Sequence, residues 1–195
     1  MTRQPDPGFW RGRRVLLTGH TGFKGAWLAL LLERLGATVT GFALPPAPGP
    51  AGFTILAPQL AHREGDLRDA AALRAAVAAA RPQVVLHLAA QALVGRGYRE
   101  PAATFATNVT GTINLLEALR GQGAGAVLVV TSDKVYRNDD SGQAFVESDP
   151  LGGQDPYSAS KAACEIAVQS WRAGFGAEIG PIATARAGNV IGGGD

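Results

Sequence analysis

The chain has 195 residues, of which 46% are hydrophobic and 17% charged, and its formal net charge is +2. This composition excludes a disordered protein and gives one domain of ordinary size enough apolar side chains to bury a core. The small net charge without a Lys/Arg run argues against nucleic-acid binding, and the single cysteine, Cys164, excludes a disulfide framework. No apolar stretch is long enough to span a bilayer or to serve as a signal peptide, so we expect a cytoplasmic protein that binds no membrane.

Segments with the patterns of strands and helices alternate along the chain. Short apolar runs predict strands at residues 14–18, 38–44, 84–88, 126–131 and 182–186. Apolar residues at helical spacing predict helices at residues 24–35, 69–80, 102–120 and 157–173. Either Asp69 or Asp66 caps the second of these helices. The proline-rich segment 45–50 and the polar segment 137–156 are predicted loops.

This alternation predicts an α/β protein, because right-handed crossovers arrange such elements into a parallel sheet with helices on both faces. We expect residues 1–195 to form one dinucleotide-binding domain with a Rossmann-like, doubly wound sheet. Ligands of such sheets bind at the carboxyl ends of the strands. Each motif described below follows a strand or lies on the next helix, so the motifs are expected at that edge.

Three glycines spaced three residues apart, Gly19, Gly22 and Gly25, join the first strand to the first predicted helix. The free N–H groups and the dipole at the start of that helix can hold a pyrophosphate. Gly19 permits the tight turn, Gly22 lets the backbone approach phosphate, and Gly25 lets the helix pack on the strand. A plain glycine-rich turn is the alternative, but the placement between strand and helix favours a cofactor site. The spacing GxxGxxG is typical of short-chain dehydrogenases.

Tyr157 and Lys161 lie four residues apart at the start of the last predicted helix. This spacing places a phenol and an ammonium on one helix face. The pKa of a free tyrosine, about 10, is too high for a base at neutral pH, and a neighbouring cation and an oxidised nicotinamide would lower it. A Tyr–Lys pair on a solvated face is the alternative. The glycine-rich loop upstream favours the catalytic interpretation.

Ser132, Asp133 and Lys134 come directly after the predicted strand 126–131. The Ser132 hydroxyl can bond the substrate oxygen that Tyr157 deprotonates, which completes a Ser/Tyr/Lys set. Asp133 and Lys134 place two ionisable groups at the same pocket mouth, with solvated loop charges as the alternative. A lysine acts as a base only when it is neutral, so a catalytic Lys134 is expected to be partly buried.

Several single residues extend the predicted site. Asp66 follows a strand, where its carboxylate can bind adenine or cap the next helix. Asn108 lies inside a predicted helix, where asparagine is disfavoured, which indicates a hydrogen-bonding role or a surface position. The three histidines lack the spacing of metal ligands, so no metal site is expected.

Together the motifs resemble those of the CDP-glucose 4,6-dehydratases, which are NAD-dependent epimerases/dehydratases of the extended short-chain dehydrogenase/reductase type. The segments that carry the resemblance cover residues 18–195 and read TGHTGFKG, HLAAQALV, TNVTGTINLLEA, TSDKVY, LGGQDPYSASK and ARAGNVIGGGD. The glycine loop, the Ser–Asp–Lys triplet at 132–134 and the segment 151–156 are the more selective of these. The others are shared with many epimerases and reductases.

The resemblance implies roles for individual residues. The implied catalytic residues are Ser132, Asp133, Lys134, Tyr157 and Lys161. The implied NAD-binding residues are Gly19, His20, Thr21, Gly22, Phe23, Lys24, Gly25, Asp66, Leu67, Leu88, Ala89, Ala90, Thr107, Tyr157 and Lys161. The implied substrate-binding residues are Gln91, Asn108 and Asn189.

The resemblance also implies a redox-neutral lyase that converts CDP-glucose to CDP-4-keto-6-deoxyglucose, a precursor of lipopolysaccharide O-antigen sugars. Tyr157, assisted by Lys161 and Ser132, would deprotonate the C4 hydroxyl while hydride passes to NAD. Asp133 would protonate the leaving C6 hydroxyl, and Lys134 stands where dTDP-glucose dehydratases carry a glutamate as the C5 base. The hydride would return to C6. A homodimer formed through helices around 105–120 and 157–173 is implied as well.

Three departures from the family pattern bear on these expectations. Residues 36–53 contain neither an acid for the ribose 2′-hydroxyl nor an arginine for a 2′-phosphate. NAD is therefore predicted although the acid that usually marks an NAD site is absent from this segment. Gly97 and Phe145 replace the family's usual residues near the sugar site, which leaves the sugar less defined than the reaction. The chain ends at Asp195, where family members continue into a smaller substrate-binding lobe, so we expect a fragment that largely lacks this lobe.

Two alternatives to the dehydratase stay open at this point. A nucleotide-sugar 4-epimerase or reductase would use Ser132, Tyr157 and Lys161 but would not need Asp133 and Lys134. A non-catalytic dinucleotide-binding chain would need only the glycine loop.

Overall fold

The computed structural model of the protein describes residues 4–46, 48–49, 52–142 and 144–194. It contains a sheet of six parallel strands. The strands are β1 (Arg14–Thr18), β2 (Thr38–Ala43), β3 (Ala61–Glu64), β4 (Val84–His87), β5 (Ala126–Val130) and β6 (Ile182–Ala185). Their order in the sheet is β3-β2-β1-β4-β5-β6, so the direction of winding reverses between β1 and β4. This is the predicted Rossmann-like, doubly wound arrangement.

Helices connect the strands. They are α1 (Pro7–Trp10), α2 (Phe23–Arg34), α3 (Gly52–Leu56), α4 (Ala70–Ala80), α5 (Val94–Arg99), α6 (Pro101–Phe105), α7 (Gly111–Leu119) and α8 (Pro156–Ile179). A π-helical turn, Ala106–Thr110, joins α6 to α7, and a 3₁₀ turn, Asp133–Val135, follows β5. Within the described ranges, no helix combines the length and the apolar character needed to cross a lipid bilayer.

The side chains of the central strands alternate between two apolar layers. Leu16 of β1 and Val85 of β4 belong to the layer that packs against α4, α7 and α8. Their sequence neighbours Val15, Leu17 and Val84 belong to the other layer, which packs against α2. A parallel strand that is covered on both faces needs apolar residues at every position, which explains the continuous apolar runs. The two layers fix the carboxyl ends of β1 and β4 side by side.

Aspartate side chains begin two of the helices. Asp69 accepts hydrogen bonds from two backbone N–H groups of the first turn of α4, at 3.0 and 2.9 Å. Asp69, and not Asp66, is therefore the cap of this helix. Asp155 begins α8 in the same way and accepts the N–H groups of Tyr157 and Ser158 at 2.9 and 3.0 Å. This cap fixes Tyr157 in the first turn of α8.

The structure corrects the predicted elements in three places. The helix predicted at 102–120 is interrupted by the π-helical turn, and α8 continues to Ile179, past the predicted end. Two glycines near the end of α8, Gly174 and Gly176, explain the early predicted end because glycine is a poor helix former. The short helices α1, α3 and α5 were not predicted. Positions 47 and 50 of the predicted loop 45–50 lie outside the described residues.

Candidate active site

A cleft of about 780 Å³ lies at the carboxyl end of the sheet, where the winding reverses between β1 and β4. Residues that follow all six strands contribute to its walls. The predicted site residues that line the cleft are Gly19, Thr21, Gly22, Phe23, Lys24, Gly25, Asp66, Leu67, Leu88, Ala89, Ala90, Thr107, Ser132, Asp133, Lys134, Tyr157, Lys161 and Asn189. The fold therefore brings the glycine loop, the Ser–Asp–Lys triplet and the Tyr–Lys pair to one site.

The three glycines of the first loop have different surroundings. Gly19 has a positive φ of 76°, and a Cβ there would lie 2.6 Å from the Ala89 nitrogen. A Cβ on Gly25 would collide with the carbonyl of Gly19. A Cβ on Gly22 would meet only that same carbonyl, at an ordinary 3.5 Å. The protein itself therefore needs glycine at positions 19 and 25, whereas Gly22 leaves room on the cleft side of the loop.

The start of α2 lies beside this room. Gly22 is the residue that precedes the helix, and no side chain caps the first N–H groups of α2. Unpaired N–H groups and the positive end of the helix dipole favour an anionic group at this point. Lys24 also lines the cleft and adds a cation. These residues fit the pyrophosphate of a dinucleotide such as NAD.

Tyr157 and Ser132 lie together deeper in the cleft. Tyr157 is 8% exposed and Ser132 is 6% exposed. Burial raises the pKa of the Tyr157 phenol, hydrogen bonding with Ser132 lowers it, and the negative charge of Asp133 raises it. The Ser132 hydroxyl donates to Asp133 Oδ1 at 3.0 Å and accepts the Lys134 N–H at 3.2 Å. The balance of these effects leaves the pKa of Tyr157 above its usual value, with Ser132 offsetting part of the rise.

Lys161 lies one helical turn after Tyr157, but its ammonium is directed at the strand. Its Nζ donates to the carbonyl of Val130, the last residue of β5, at 3.2 Å. Burial lowers the pKa of the Lys161 ammonium. The side chain that lowers the pKa of Tyr157 in this structure is that of Ser132. That a neighbouring cation and an oxidised nicotinamide lower it further stays a prediction.

Asp133 and Lys134 form a loose ion pair at the mouth of the cleft. Lys134 Nζ lies 3.8 Å from Asp133 Oδ1, and the two side chains are 44% and 51% exposed. Lys134 was expected to be partly buried, and 44% of its side chain is exposed in this structure. Both residues still line the same cleft as Tyr157.

The segment after β3 forms the other end of the cleft. Asp66 pairs with Arg68, with 2.6 Å between Oδ2 and NH2, and this contact lowers the pKa of the Asp66 carboxyl. After β2, Leu44 lines the cleft where many dinucleotide-binding proteins place an acid. The Leu44 carbonyl accepts the hydroxyl of Thr21 at 3.0 Å.

Three predicted site residues, His20, Gln91 and Asn108, do not line this cleft. His20 is fully buried, and its Nε2 lies 2.5 Å from Nδ1 of His62. Asn108 is also buried, in the π-helical turn, and its amide group donates to the Gln91 carbonyl and to Ser160 Oγ. These contacts brace the loops around the cleft, and a direct role in ligand binding stays a prediction.

Among the residues that the structure describes, no group of three His, Cys, Asp or Glu side chains is arranged to hold a metal ion.

The cleft also contains residues that were not predicted. Gly65 lines it after β3, Thr131 after β5, and Gly188 and Ile191 after β6. Their one sequence signal is a position at or shortly after the end of a strand. Small and apolar side chains of this kind carry no chemical signature that would separate them from ordinary loop residues.

Comparisons with known proteins agree with this geometry. Residues 15–195 match the NAD dependent epimerase/dehydratase family. The chain is 44% identical to the CDP-glucose 4,6-dehydratase of Salmonella typhimurium over 97% of its own length and 55% of that protein. Among solved structures, it resembles DesIV, a dTDP-glucose 4,6-dehydratase of Streptomyces venezuelae with NAD and TYD bound. The TM-score is 0.76, with 30% identity over 88% of this chain and 55% of that one.

A further solved structure that the chain resembles is the UDP-glucose 4-epimerase of Brucella ovis in complex with NAD. The TM-score is 0.75, with 27% identity over 85% of this chain and 49% of that one. The chain spans about half the length of the relatives that it matches. The family match covers nearly the whole sequence and includes the glycine loop, the Ser–Asp–Lys triplet and the Tyr–Lys pair. The chain therefore belongs to the NAD dependent epimerase/dehydratase family.

Proposed function

We propose that the protein is an NAD-dependent nucleotide-sugar 4,6-dehydratase that converts CDP-glucose to CDP-4-keto-6-deoxyglucose. The observation that carries the proposal is that Asp133 and Lys134, an acid and a base, line the same cleft as Ser132, Tyr157 and Lys161. The identity of 44% to a CDP-glucose 4,6-dehydratase supports the choice of substrate.

NAD is the proposed cofactor, and when bound it accepts a hydride and later returns it. The start of α2, with Gly22 and Lys24, would hold its pyrophosphate, and Asp66 would bind its adenine. The family membership and the NAD complexes of the solved relatives support NAD. The segment after β2 offers Leu44 in place of an acid, so the ribose contact differs from the usual one.

Oxidation at C4 is assigned to the buried part of the cleft. Tyr157 takes the proton of the C4 hydroxyl, and the Ser132 hydroxyl, which donates to Asp133 in the free protein, would turn to donate to the same C4 oxygen. Lys161 contributes a positive charge close to the end of β5, where its ammonium is held by the Val130 carbonyl. Its burial keeps that charge away from solvent, which strengthens its field at the reacting oxygen.

Elimination of water is assigned to the mouth of the cleft. Lys134 is paired with Asp133 in the free protein, so its ammonium proton first has to move to the Asp133 carboxylate. The neutral Lys134 amine then removes the C5 proton, which the 4-keto group acidifies. The protonated Asp133 gives its proton to the departing C6 hydroxyl, which leaves as water. Both side chains are about half exposed, so we propose that the bound sugar displaces the water around them. This step distinguishes a dehydratase from an epimerase.

The proposal is tested by incubating the full gene product that contains residues 1–195 with CDP-glucose and NAD in deuterated water. Mass spectrometry should show loss of one water and one deuterium at C5. Lys134→Ala should still oxidise C4 but incorporate deuterium at C5 much more slowly. Tyr157→Phe should slow all steps by about 10²- to 10⁴-fold, the usual contribution of a general acid–base group.

A 4-epimerase is the second candidate, because solved UDP-glucose 4-epimerases share the fold. Inversion at C4 without loss of water would favour it and would reject the dehydratase. Normal dehydration and normal C5 labelling in Lys134→Ala would show that another group is the C5 base.

We place the reaction in the cytoplasm, where the product would supply 6-deoxy sugars for surface polysaccharides. We also propose a homodimer that packs through the helices around 105–120 and 157–173. Phe105 and Ile166 support the second proposal, since both are apolar, lie on these helices and are 38% and 58% exposed.

A further inference from the structure

Glu165 is a buried carboxylate behind the candidate active site that has no role in the proposed mechanism. It lies on α8, four residues after Lys161, and is 5% exposed. Buried carboxylates are rare unless their charge is compensated. Three side chains compensate this one, from the end of β5, from β6 and from the residue after β6.

The donors to Glu165 are well defined. Thr131 Oγ1 donates to Oε1 at 2.5 Å, Thr184 Oγ1 donates to Oε2 at 2.9 Å, and Arg186 NH2 donates to Oε2 at 3.2 Å. Burial raises the pKa of the Glu165 carboxyl, but the hydrogen bonds from Arg186 and the two threonines outweigh it and lower the pKa. Glu165 is therefore ionised at neutral pH.

Arg186 is itself held in place. Its NH1 donates to the Glu147 carbonyl at 3.0 Å, and its guanidinium lies 4.8 Å from the centre of the Tyr136 ring. The pair of Glu165 with Arg186 is much less exposed than the surface ion pairs of this chain, at 5% and 16%. Removing one partner of such a pair leaves an uncompensated buried charge, so the pair is expected to keep one geometry.

Thr131 is the residue directly before Ser132, which gives the contact with Glu165 its importance. Lys161 bonds the carbonyl of Val130, and Glu165, one turn later on α8, bonds the hydroxyl of Thr131. Two consecutive residues of the β5 end are thus tied to the same helix that carries Tyr157. The backbone of this segment is also bonded to β6, through Thr131 N–H to the Ala185 carbonyl at 2.9 Å.

We propose that Glu165 is a positioning residue that holds the end of β5 on α8 and so sets the place of Ser132 relative to Tyr157. The effect of this role on turnover rests on the proposed function. Its effect on the pKa of Tyr157 can be measured without a substrate. Ser132 lowers the pKa of Tyr157, so a displaced Ser132 raises it. Loss of the Glu165 charge alone has the opposite sign, because removing a negative charge favours the phenolate.

The test is a titration of the Tyr157 phenol by NMR in the full chain with ¹³C-labelled tyrosine, with Tyr157→Phe to assign the signal. Glu165→Gln should raise the pKa of Tyr157 by roughly one unit, and Ser132→Ala should raise it by a similar amount. The double variant should show no further rise, because both changes remove the same contact. An unchanged or lowered pKa in Glu165→Gln would overturn the proposal.

Two threonine variants guard against a general loss of structure. Thr131→Val removes the hydroxyl that bonds Glu165 and also lies 3.4 Å from the Ala185 carbonyl, and it should raise the pKa of Tyr157. Thr184→Val removes an equivalent hydrogen bond to the same carboxylate from β6 and should leave the pKa unchanged. Equal effects of the two variants would mean that Glu165 acts on the fold as a whole, and would reject the positioning role.

Turnover provides the second readout. In the full gene product, Thr131→Val should lower kcat by about 10- to 100-fold, the range expected from a small misplacement of a catalytic group, with KM little changed. A raised KM with kcat unchanged would overturn the role. If the wild type does not turn over CDP-glucose, the proposed function fails, while the phenol titration still decides the role of Glu165.

Discussion

At the scale of single residues, the glycine loop shows how one motif combines requirements of the fold and of the ligand. Gly19 and Gly25 have no space for a Cβ because backbone atoms of the protein lie against them. Gly22 has that space, has an ordinary φ of −81° and immediately precedes α2. The first two glycines are therefore explained by the chain itself, and the third by a group that approaches the helix start.

Gly22→Val is predicted to weaken NAD binding without unfolding the chain. The added side chain fits the backbone but projects toward the N–H groups that would bind the pyrophosphate. We expect the Kd for NAD, measured by calorimetry, to rise about 100-fold, or about 3 kcal/mol, with Tm nearly unchanged. Gly25→Ala is the contrasting variant and should lower Tm. Undiminished NAD binding in Gly22→Val would move the pyrophosphate to another place.

At the scale of elements, α8 carries much of the site because it begins inside it. The Asp155 cap fixes Tyr157, the next turn brings Lys161 to β5, and the turn after that brings Glu165 to Thr131. The spacing of four residues is visible in the sequence, so the shared face of Tyr157 and Lys161 could be predicted. The contact made by each side chain could not, because it depends on where β5 and β6 end.

The same distinction explains which parts of the fold could be predicted. The strands β1, β4 and β5 are apolar runs, and each was predicted to within one residue of its bounds. The strand β3 lies at the edge of the sheet with all four residues exposed, so no apolar pattern indicates its bounds, although the position of Asp66 was expected to follow a strand. The exposed fraction of the Lys134 side chain, 44%, likewise depends on tertiary packing and could not be predicted from the sequence.

Asp155→Ala is predicted to destabilise the chain by about 1 kcal/mol and to loosen the first turn of α8. Urea unfolding and hydrogen exchange of the Tyr157 amide measure the two effects. Asp69→Ala is a matched control, because Asp69 caps α4 with the same pair of backbone hydrogen bonds and does not line the cleft. It should cost similar stability and leave the Tyr157 amide protected. Equal protection in both variants would contradict the assigned cap.

At the scale of the whole molecule, polar groups lie under the cleft and link the central strands. His87 of β4 is buried between two hydroxyls, with Nδ1 2.6 Å from Thr18 Oγ1 and Nε2 2.9 Å from Thr112 Oγ1. Thr112 in turn donates to the Asn108 carbonyl in the π-helical turn at 2.6 Å. These contacts join β1, β4 and α7 beneath the site, and the burial of the ring favours the neutral form of His87.

The whole molecule is therefore predicted to lose stability when the pH falls below 6.5. Burial lowers the pKa of His87 from 6.5 to about 3 and that of His20 from 6.5 to about 4, with further lowering from Lys161 and His62 respectively. A histidine with a depressed pKa is protonated first in the unfolded chain, so acid favours unfolding. Between pH 6.5 and about 5, where most carboxylates still stay ionised, each histidine should cost about 1.5 kcal/mol.

Urea unfolding followed by circular dichroism at several pH values in this interval measures the slope directly. His20 should respond like His87, because its Nδ1 has no hydrogen-bond partner among the described residues and a proton there would lack an acceptor. His87→Gln should be less stable than the wild type at pH 7 but should lose less stability on acidification, since glutamine does not titrate. A slope equal to that of the wild type in both His87→Gln and His20→Asn would show that the two rings are not the origin of the acid sensitivity. In that case the neutral rings beneath the cleft would stabilise the fold through packing alone.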